Sequence, residues 1–84
     1  AVERLGYPLS DSVIFENRAK CYEELWDYLK AENEYSEAIM IRPNFDHLYY
    51  KRSVVRNKQG KTELAEQDRS LFEMLRESRK KGLE

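Results

Sequence analysis

The fold is decided by two consecutive stretches of equal length, 12-SVIFENRAKCYEELWDYLKAENEYSEAIMIRPNF-45 and 46-DHLYYKRSVVRNKQGKTELAEQDRSLFEMLRESR-79. When the first is placed on the second at an offset of 34 residues, six positions are identical. These identities are Arg18/Arg52, Ala31/Ala65, Glu32/Glu66, Ser36/Ser70, Met40/Met74 and Arg42/Arg76. An internal period of about 34 residues is typical of a helix–turn–helix repeat whose copies stack to share a core.

Helical spacing and end signals predict an all-α fold of antiparallel helix–turn–helix repeats with about four helices. The first begins at one of Ser10, Asp11 and Ser12, whose side-chain oxygens can accept from free backbone N–H groups. Pro43 ends the second helix, and Gly60 provides a left-handed stop after the third. The predicted helices span about residues 10–25, 28–41, 46–58 and 62–81.

Apolar residues at three- and four-residue steps predict which side chains form the core. In chain order these are Phe15, Ala19, Tyr22, Leu25, Tyr28, Ala31, Tyr35, Ala38, Ile41, Leu64, Ala65, Leu71, Phe72 and Leu75. The small residues Ala31 and Ala65 are expected where helix axes cross at about 8–10 Å. The lone Cys21 is expected to be a buried small hydrophobe in a reducing, intracellular compartment, cytoplasmic or nuclear.

Composition argues against several classes of function. A net charge of −1 is unlike the basic excess of a general nucleic-acid binder, although Lys51, Arg52, Arg56, Lys58 and Lys61 form a weak candidate contact. No apolar run approaches the roughly 20 residues of a membrane span. One histidine, one cysteine and no Gly-rich loop indicate no enzyme, no metal site and no cofactor.

The chain resembles the tetratricopeptide repeat (TPR) family at the residues Phe15, Ala19, Tyr22, Ala31, Tyr35, Ala38 and Pro43, with Trp26 in place of the usual turn glycine. The second copy matches at Tyr49, Ser53, Gly60 and Ala65, but has Arg56 and Arg69 where the family has aromatic residues. The resemblance implies a protein-interaction module, and it divides the chain into four parts. These are 1–11, the end of a preceding helix or an N-terminal cap; 12–45, a first repeat; 46–79, a divergent and terminal repeat; and 80–84, a tail.

The resemblance also implies a concave binding face lined by the first helix of each repeat. The candidate peptide-binding residues are Asn17, Lys20, His47, Tyr50, Lys51 and Lys58, and Val13, Glu16, Glu24 and Val54 are further residues expected to face this groove. One TPR subgroup holds C-terminal carboxylates of chaperones in a clamp, and Asn17 falls on the clamp asparagine. His47 replaces a clamp lysine and Lys51 a clamp arginine, which weakens the match because lysine lacks the planar guanidinium fork.

Two functions follow as hypotheses. The first is a scaffold or adaptor that binds a partner segment in the groove, with an acidic C-terminal peptide such as a chaperone tail as one candidate. The second is an architectural role within a larger protein, or a homodimer formed through an exposed repeat edge. Arg18 and Arg52, which repeat at the period, are expected to pair with acids on adjacent helices.

Overall fold

A computed structural model describes residues 10–82, and these residues form four helices and no strand. The helices are α1 (Ser10–Glu24), α2 (Tyr28–Ile41), α3 (Asp46–Lys58) and α4 (Thr62–Gly82). The prediction of an all-α chain with four helices is confirmed. The predicted preceding helix or cap falls mostly on residues 1–9, which lie outside the described residues, and residues 80–82 continue α4.

The α1–α2 and α3–α4 turns have the same backbone geometry, one period apart. Asp27 N–H donates to the carbonyl of Tyr22 at 2.9 Å, and Trp26 N–H donates to that of Glu23 at 2.9 Å. In the second turn, Lys61 and Gly60 repeat both bonds at 2.9 Å, onto Arg56 and Asn57. This is the Schellman pattern, which requires a left-handed residue after the helix. Trp26 (φ 63°) and Gly60 (φ 81°) occupy that position.

The α2 helix is capped at its start, and a tyrosine fixes the turn that follows it. The Asp27 carboxylate accepts from the backbone N–H of Lys30 at 3.3 Å, which satisfies a free donor of the first turn. After Pro43 ends the helix, the Tyr49 hydroxyl donates to the Pro43 carbonyl at 2.7 Å. Burial of the phenol raises the pKa of Tyr49. The hydroxyl therefore remains a donor and ties α3 to the turn.

Small and aromatic side chains fill the core, as predicted from their spacing. Ala19, Ala31 and Ala65 are fully buried where the helices approach. Tyr35, Ala38, Leu48 and Val55 are fully buried beside them, and Phe15, Tyr22, Tyr28, Phe72 and Leu75 pack against this cluster at partial exposure. The alanines permit close helix crossings, while the aromatic rings fill the space between the crossings.

Four predicted core residues lie at the surface instead. Leu25 is 72% exposed because it begins the turn and no longer follows the helical face of α1. Cys21 is exposed because it lies about 200° around α1 from the buried Ala19, on the opposite side of the helix. Leu64 and Leu71 are more than a third exposed, since they flank the α4 face that Ala65 buries. Helical spacing alone therefore overestimated the width of the buried stripe of α4.

Arg18 and Arg52 pair with acids one period apart, as the sequence predicted. The Arg18 guanidinium lies 3.3 Å from the Glu34 carboxylate, between α1 and α2. Arg52 binds Asp68 between α3 and α4, with Nη2–Oδ1 at 2.8 Å and Nε–Oδ2 at 2.9 Å. The first arginine is 55% exposed, whereas the second is 15% exposed and bidentate. The same contact is therefore weak in the first copy and buried in the second.

A polar network extends this second pair across α2, α3 and α4. Arg56 donates to Asp68 at 2.9 Å and to Glu32 at 2.6 Å, so one guanidinium joins carboxylates from α4 and α2. Arg52 also donates to the Ser36 hydroxyl of α2 at 3.0 Å. Arg56 stands where the first copy has Tyr22. Arg56 therefore departs from the repeat pattern because polar contacts replace aromatic packing at this position of the second copy.

Glu32 accepts three side-chain donors in this network. Besides Arg56, Lys61 donates to it at 2.8 Å and Gln59 at 2.9 Å. Burial alone would raise the pKa of Glu32, but the hydrogen bonds from Lys61, Arg56 and Gln59 outweigh it and lower the pKa to about 2. The carboxylate therefore stays charged over the whole physiological range.

Enlarging a helix crossing should destabilise the chain. Replacing the fully buried Ala31 with leucine is expected to lower the free energy of unfolding by about 1–3 kcal/mol, because the added atoms must push the crossing apart. Urea unfolding followed by circular dichroism measures the loss. Asn33→Leu, at an exposed site of the same helix, is the control, and an equal loss in both variants would contradict the crossing.

The chain should lose stability in acid through Glu32. Since its folded pKa of about 2 lies below its ordinary value of 4.5, its stabilisation is present above pH 4.5 and is lost as the pH falls toward 2. The loss is on the order of 2–3 kcal/mol. Urea unfolding at successive pH values should show this slope in the parent chain and a flatter curve in Glu32→Gln. Glu37→Gln, which removes an exposed carboxylate of α2, should keep the parent's slope.

Candidate functional site

The predicted binding residues come from the two helices that the sequence assigned to one face. Asn17 and Lys20 lie on α1, and both are exposed. The other four lie on α3, where Lys51 is partly buried and His47, Tyr50 and Lys58 are exposed. Because the Arg52–Arg56 network fixes the opposite side of α3 against α2 and α4, this face has a defined orientation.

Glu16 lies between two of the predicted binding residues. One of its carboxylate oxygens is 3.9 Å from the Lys20 ammonium and 3.9 Å from His47 Nε2. The Glu16 side chain is only 13% exposed, while that of His47 is 47% exposed. The contact with His47 joins α1 to α3 directly. An acid of the chain therefore faces Lys20 and His47, two of the predicted binding residues.

Lys20 and Lys58 border one shallow depression near the C-terminal ends of α1 and α3. The depression has a volume of about 370 Å³ and is also lined by Glu23, Glu24 and Tyr28. The Lys58 ammonium lies 5.8 Å from the centre of the Tyr28 ring, within cation–π range. This end of the face combines two cations, two carboxylates and one aromatic ring.

Glu23 is held in place from the core side of the depression. The Tyr35 hydroxyl donates to its carboxylate at 2.6 Å. Burial of the phenol, together with this bond to a carboxylate, raises the pKa of Tyr35. A neutral phenol in a charge-assisted hydrogen bond orients Glu23. One wall of the depression is therefore rigid.

Tyr50 belongs to the α4 side of α3. Its ring lies 5.3 Å from that of Phe72, centre to centre, and the Arg69 guanidinium lies 5.8 Å from its centre. Arg69 is the equivalent of the buried Tyr35 in the first copy. In the second copy this position therefore holds a cation that covers the Tyr50 ring. Tyr50 extends the candidate face toward α4 and does not contact Glu16 or Lys20.

Asn17 and Lys51 differ from the other four predicted residues. Neither side chain makes a hydrogen bond, an ion pair or an aromatic contact with any residue among 10–82. Each adjoins the Glu16–His47 contact: Asn17 follows Glu16, and Lys51 lies one turn beyond His47 on α3. These two polar groups are the ones left to bind a ligand.

Sequence reasoning missed the central position of Glu16 and the role of Glu23. Glu16 was recognised only as a groove-facing residue, and its spacing of four from Lys20 is the signal that predicts their contact. Three residues of the weak nucleic-acid candidate, Arg52, Arg56 and Lys61, are bound to carboxylates of the chain itself.

Comparisons with known proteins provide no identification: no protein-family model, curated protein or solved structure matches this chain. Within residues 10–82, none of the helices is both long enough and apolar enough to cross a membrane. In the same described part, no three His, Cys, Asp or Glu side chains are grouped as metal ligands would be.

Proposed function

We propose that the chain is a protein-interaction module of the TPR type, and that the face formed by α1 and α3 binds a segment of a partner protein inside the cell. The observation that supports this proposal is the contact between Glu16 of α1 and His47 of α3. It joins helices whose equivalent residues are 34 positions apart. Polar side chains of both helices, together with Tyr50 of α3, belong to this face, and we expect an extended peptide to contact several of them at once.

A free C-terminal carboxylate is the peptide group that this face would bind through Asn17 and Lys51. The asparagine amide can donate a hydrogen bond to a carboxylate oxygen, and the lysine ammonium adds a charge-assisted one. Neither side chain must first leave a partner within residues 10–82. Lysine provides a point charge and no bidentate fork, so the expected affinity is modest.

Glu16 sets the specificity of this interaction. Its carboxylate already faces Lys20 and His47, and it repels a second carboxylate placed beside it. The face therefore favours a ligand with one carboxylate at Asn17 and Lys51 over one with several adjacent acids. A cationic residue of the ligand next to Glu16 would be attracted.

The architectural alternative, in which the chain associates with itself, is supported by a different observation. Three large apolar side chains, Leu25, Trp26 and Leu29, are between 54% and 79% exposed at the α1–α2 turn. They lie outside the residues proposed to bind the peptide.

Peptide binding should depend on a free carboxylate and on Lys51. Fluorescence anisotropy with labelled eight-residue peptides that contain no acidic side chain, made in pairs with a free or an amidated C-terminus, measures the effect. Free acids should bind more tightly, and Lys51→Ala should weaken their binding roughly tenfold, as expected for a lost charge-assisted hydrogen bond. Lys30→Ala, on α2, is the matched control. Equal affinities for both peptide forms would rule out the carboxylate site.

Removing the Glu16 charge should strengthen binding of the same free-acid peptides. Glu16→Gln is expected to raise their affinity by up to about fivefold, the range of partly screened charge interactions. Glu37→Gln, an exposed carboxylate of α2, controls for the change in net charge. If Glu16→Gln lowers the affinity, the assignment of Glu16 as the opposing charge is wrong.

A further inference from the structure

Trp26 has the same left-handed backbone conformation as Gly60, its equivalent in the second copy. Both turns require a left-handed residue at this position, and the chain uses Trp26 at φ 63° and Gly60 at φ 81°. Among residues 10–82, Trp26 is the only residue other than glycine with positive φ. A bulky side chain in this region is strained, because its Cβ approaches the neighbouring carbonyl oxygen.

Packing within the chain does not compensate for this strain. Trp26 is 79% exposed, and no ring or cation contact involves it within the described residues. Leu25 and Leu29, 72% and 54% exposed, lie beside it. We call these three residues the apolar turn. Strain at an exposed residue points to a role outside the core, and contiguous exposed apolar side chains mark interaction sites.

The net charge of −1 hides an asymmetry between the two halves of the chain. Residues 12–45 contain seven acidic and four basic residues, a net charge of −3, whereas residues 46–82 contain six acidic and ten basic residues, a net charge of +4. The apolar turn belongs to the acidic half, and the exposed Glu24 precedes it with no partner among the described residues.

The basic half has a complementary patch on α4. Leu71, Met74 and Lys81 are spaced three and seven residues apart, so they lie along one side of the helix. Leu71 is 38% exposed and Met74 62% exposed. Lys81 is exposed and forms no ion pair within residues 10–82. We call these residues the α4 patch.

We propose that the apolar turn of one copy binds the α4 patch of a second copy. Trp26 and the two leucines would cover Leu71 and Met74, and Glu24 would face Lys81. Each copy has both surfaces, so the contact is head-to-tail and can continue into chains of copies. The area is small, so association is weak, and because opposite charges flank it, added salt weakens it further.

Sedimentation velocity tests the association. The average mass of the parent chain should rise above that of a monomer as its concentration increases to about 1 mM, and it should rise less at high salt. Trp26→Asn retains a residue that tolerates positive φ and should abolish the increase. Met74→Glu should also abolish it, whereas Met40→Glu, at the equivalent exposed position of α2, should not.

Mixing the two inactive variants distinguishes this contact from other modes of association. Trp26→Asn retains an intact α4 patch and Met74→Glu an intact apolar turn, so the mixture should form one-to-one dimers and nothing larger. Three results would each overturn the proposal. The parent chain could remain monomeric, Trp26→Asn by itself could still associate, or the mixture of the two variants could contain only monomers.

Thermal unfolding at low concentration verifies that the variants fold and shows that the strain is real. Trp26→Gly should raise the Tm by about 4–8 °C, the shift expected for relief of one strained residue in a domain of this size, while it abolishes association. A variant that is more stable but no longer associates cannot be explained by misfolding. A lower Tm for Trp26→Gly would show that Trp26 is structural and would overturn its assignment to the interface.

Discussion

Asp68 is a buried carboxylate bound by two guanidiniums, and the arrangement of the last three helices depends on it. Arg52 holds it with two hydrogen bonds, and Arg56 joins it to Glu32 on α2. Buried charges are costly to desolvate, and they are stable only when their partners satisfy them. Here α2, α3 and α4 must all be in place at once for that to happen. The network therefore specifies one relative position of the three helices, which apolar side chains of adaptable shape would specify less strictly.

The candidate binding face is a consequence of this arrangement. Helix α3 has two sides that matter for the site. One side has the arginines that contact α2 and α4, and the other has His47 and Lys51. Because the guanidiniums hold the first side, the second has a fixed orientation beside α1, where Glu16 contacts His47. The apolar turn depends on a different device, a Schellman turn that fixes the backbone of Trp26. The candidate binding face and the apolar turn therefore depend on two different structural constraints in the same small chain.

Much of the fold could be predicted from the sequence because its end signals are local. Pro43 and Gly60 act within a few residues, and the predicted ends of α2 and α3 followed from them. The Arg18–Glu34 and Arg52–Asp68 pairs were predictable because the period repeats them. The exposure of Cys21 and Leu71 could not be predicted, because helical spacing does not show how much of a helix surface the neighbouring helix covers. The role of Arg56 could not be predicted either. A charged residue at a position that is usually aromatic indicates exposure, unless its contacts with Glu32 and Asp68 are already known.

The contacts of α4 are distributed unevenly along its length. Ala65, Asp68, Phe72 and Leu75 attach its first half to the rest of the chain. Beyond Leu75, an ion pair between Arg79 and Asp46 joins α4 to α3 within the described residues. Arg79 is 60% exposed. The free energy of local opening therefore decreases toward Gly82, so the last turns can detach while the core stays folded. Since the Asp46 side chain of this pair is only 5% exposed, added salt should weaken the pair less than it weakens a fully exposed one.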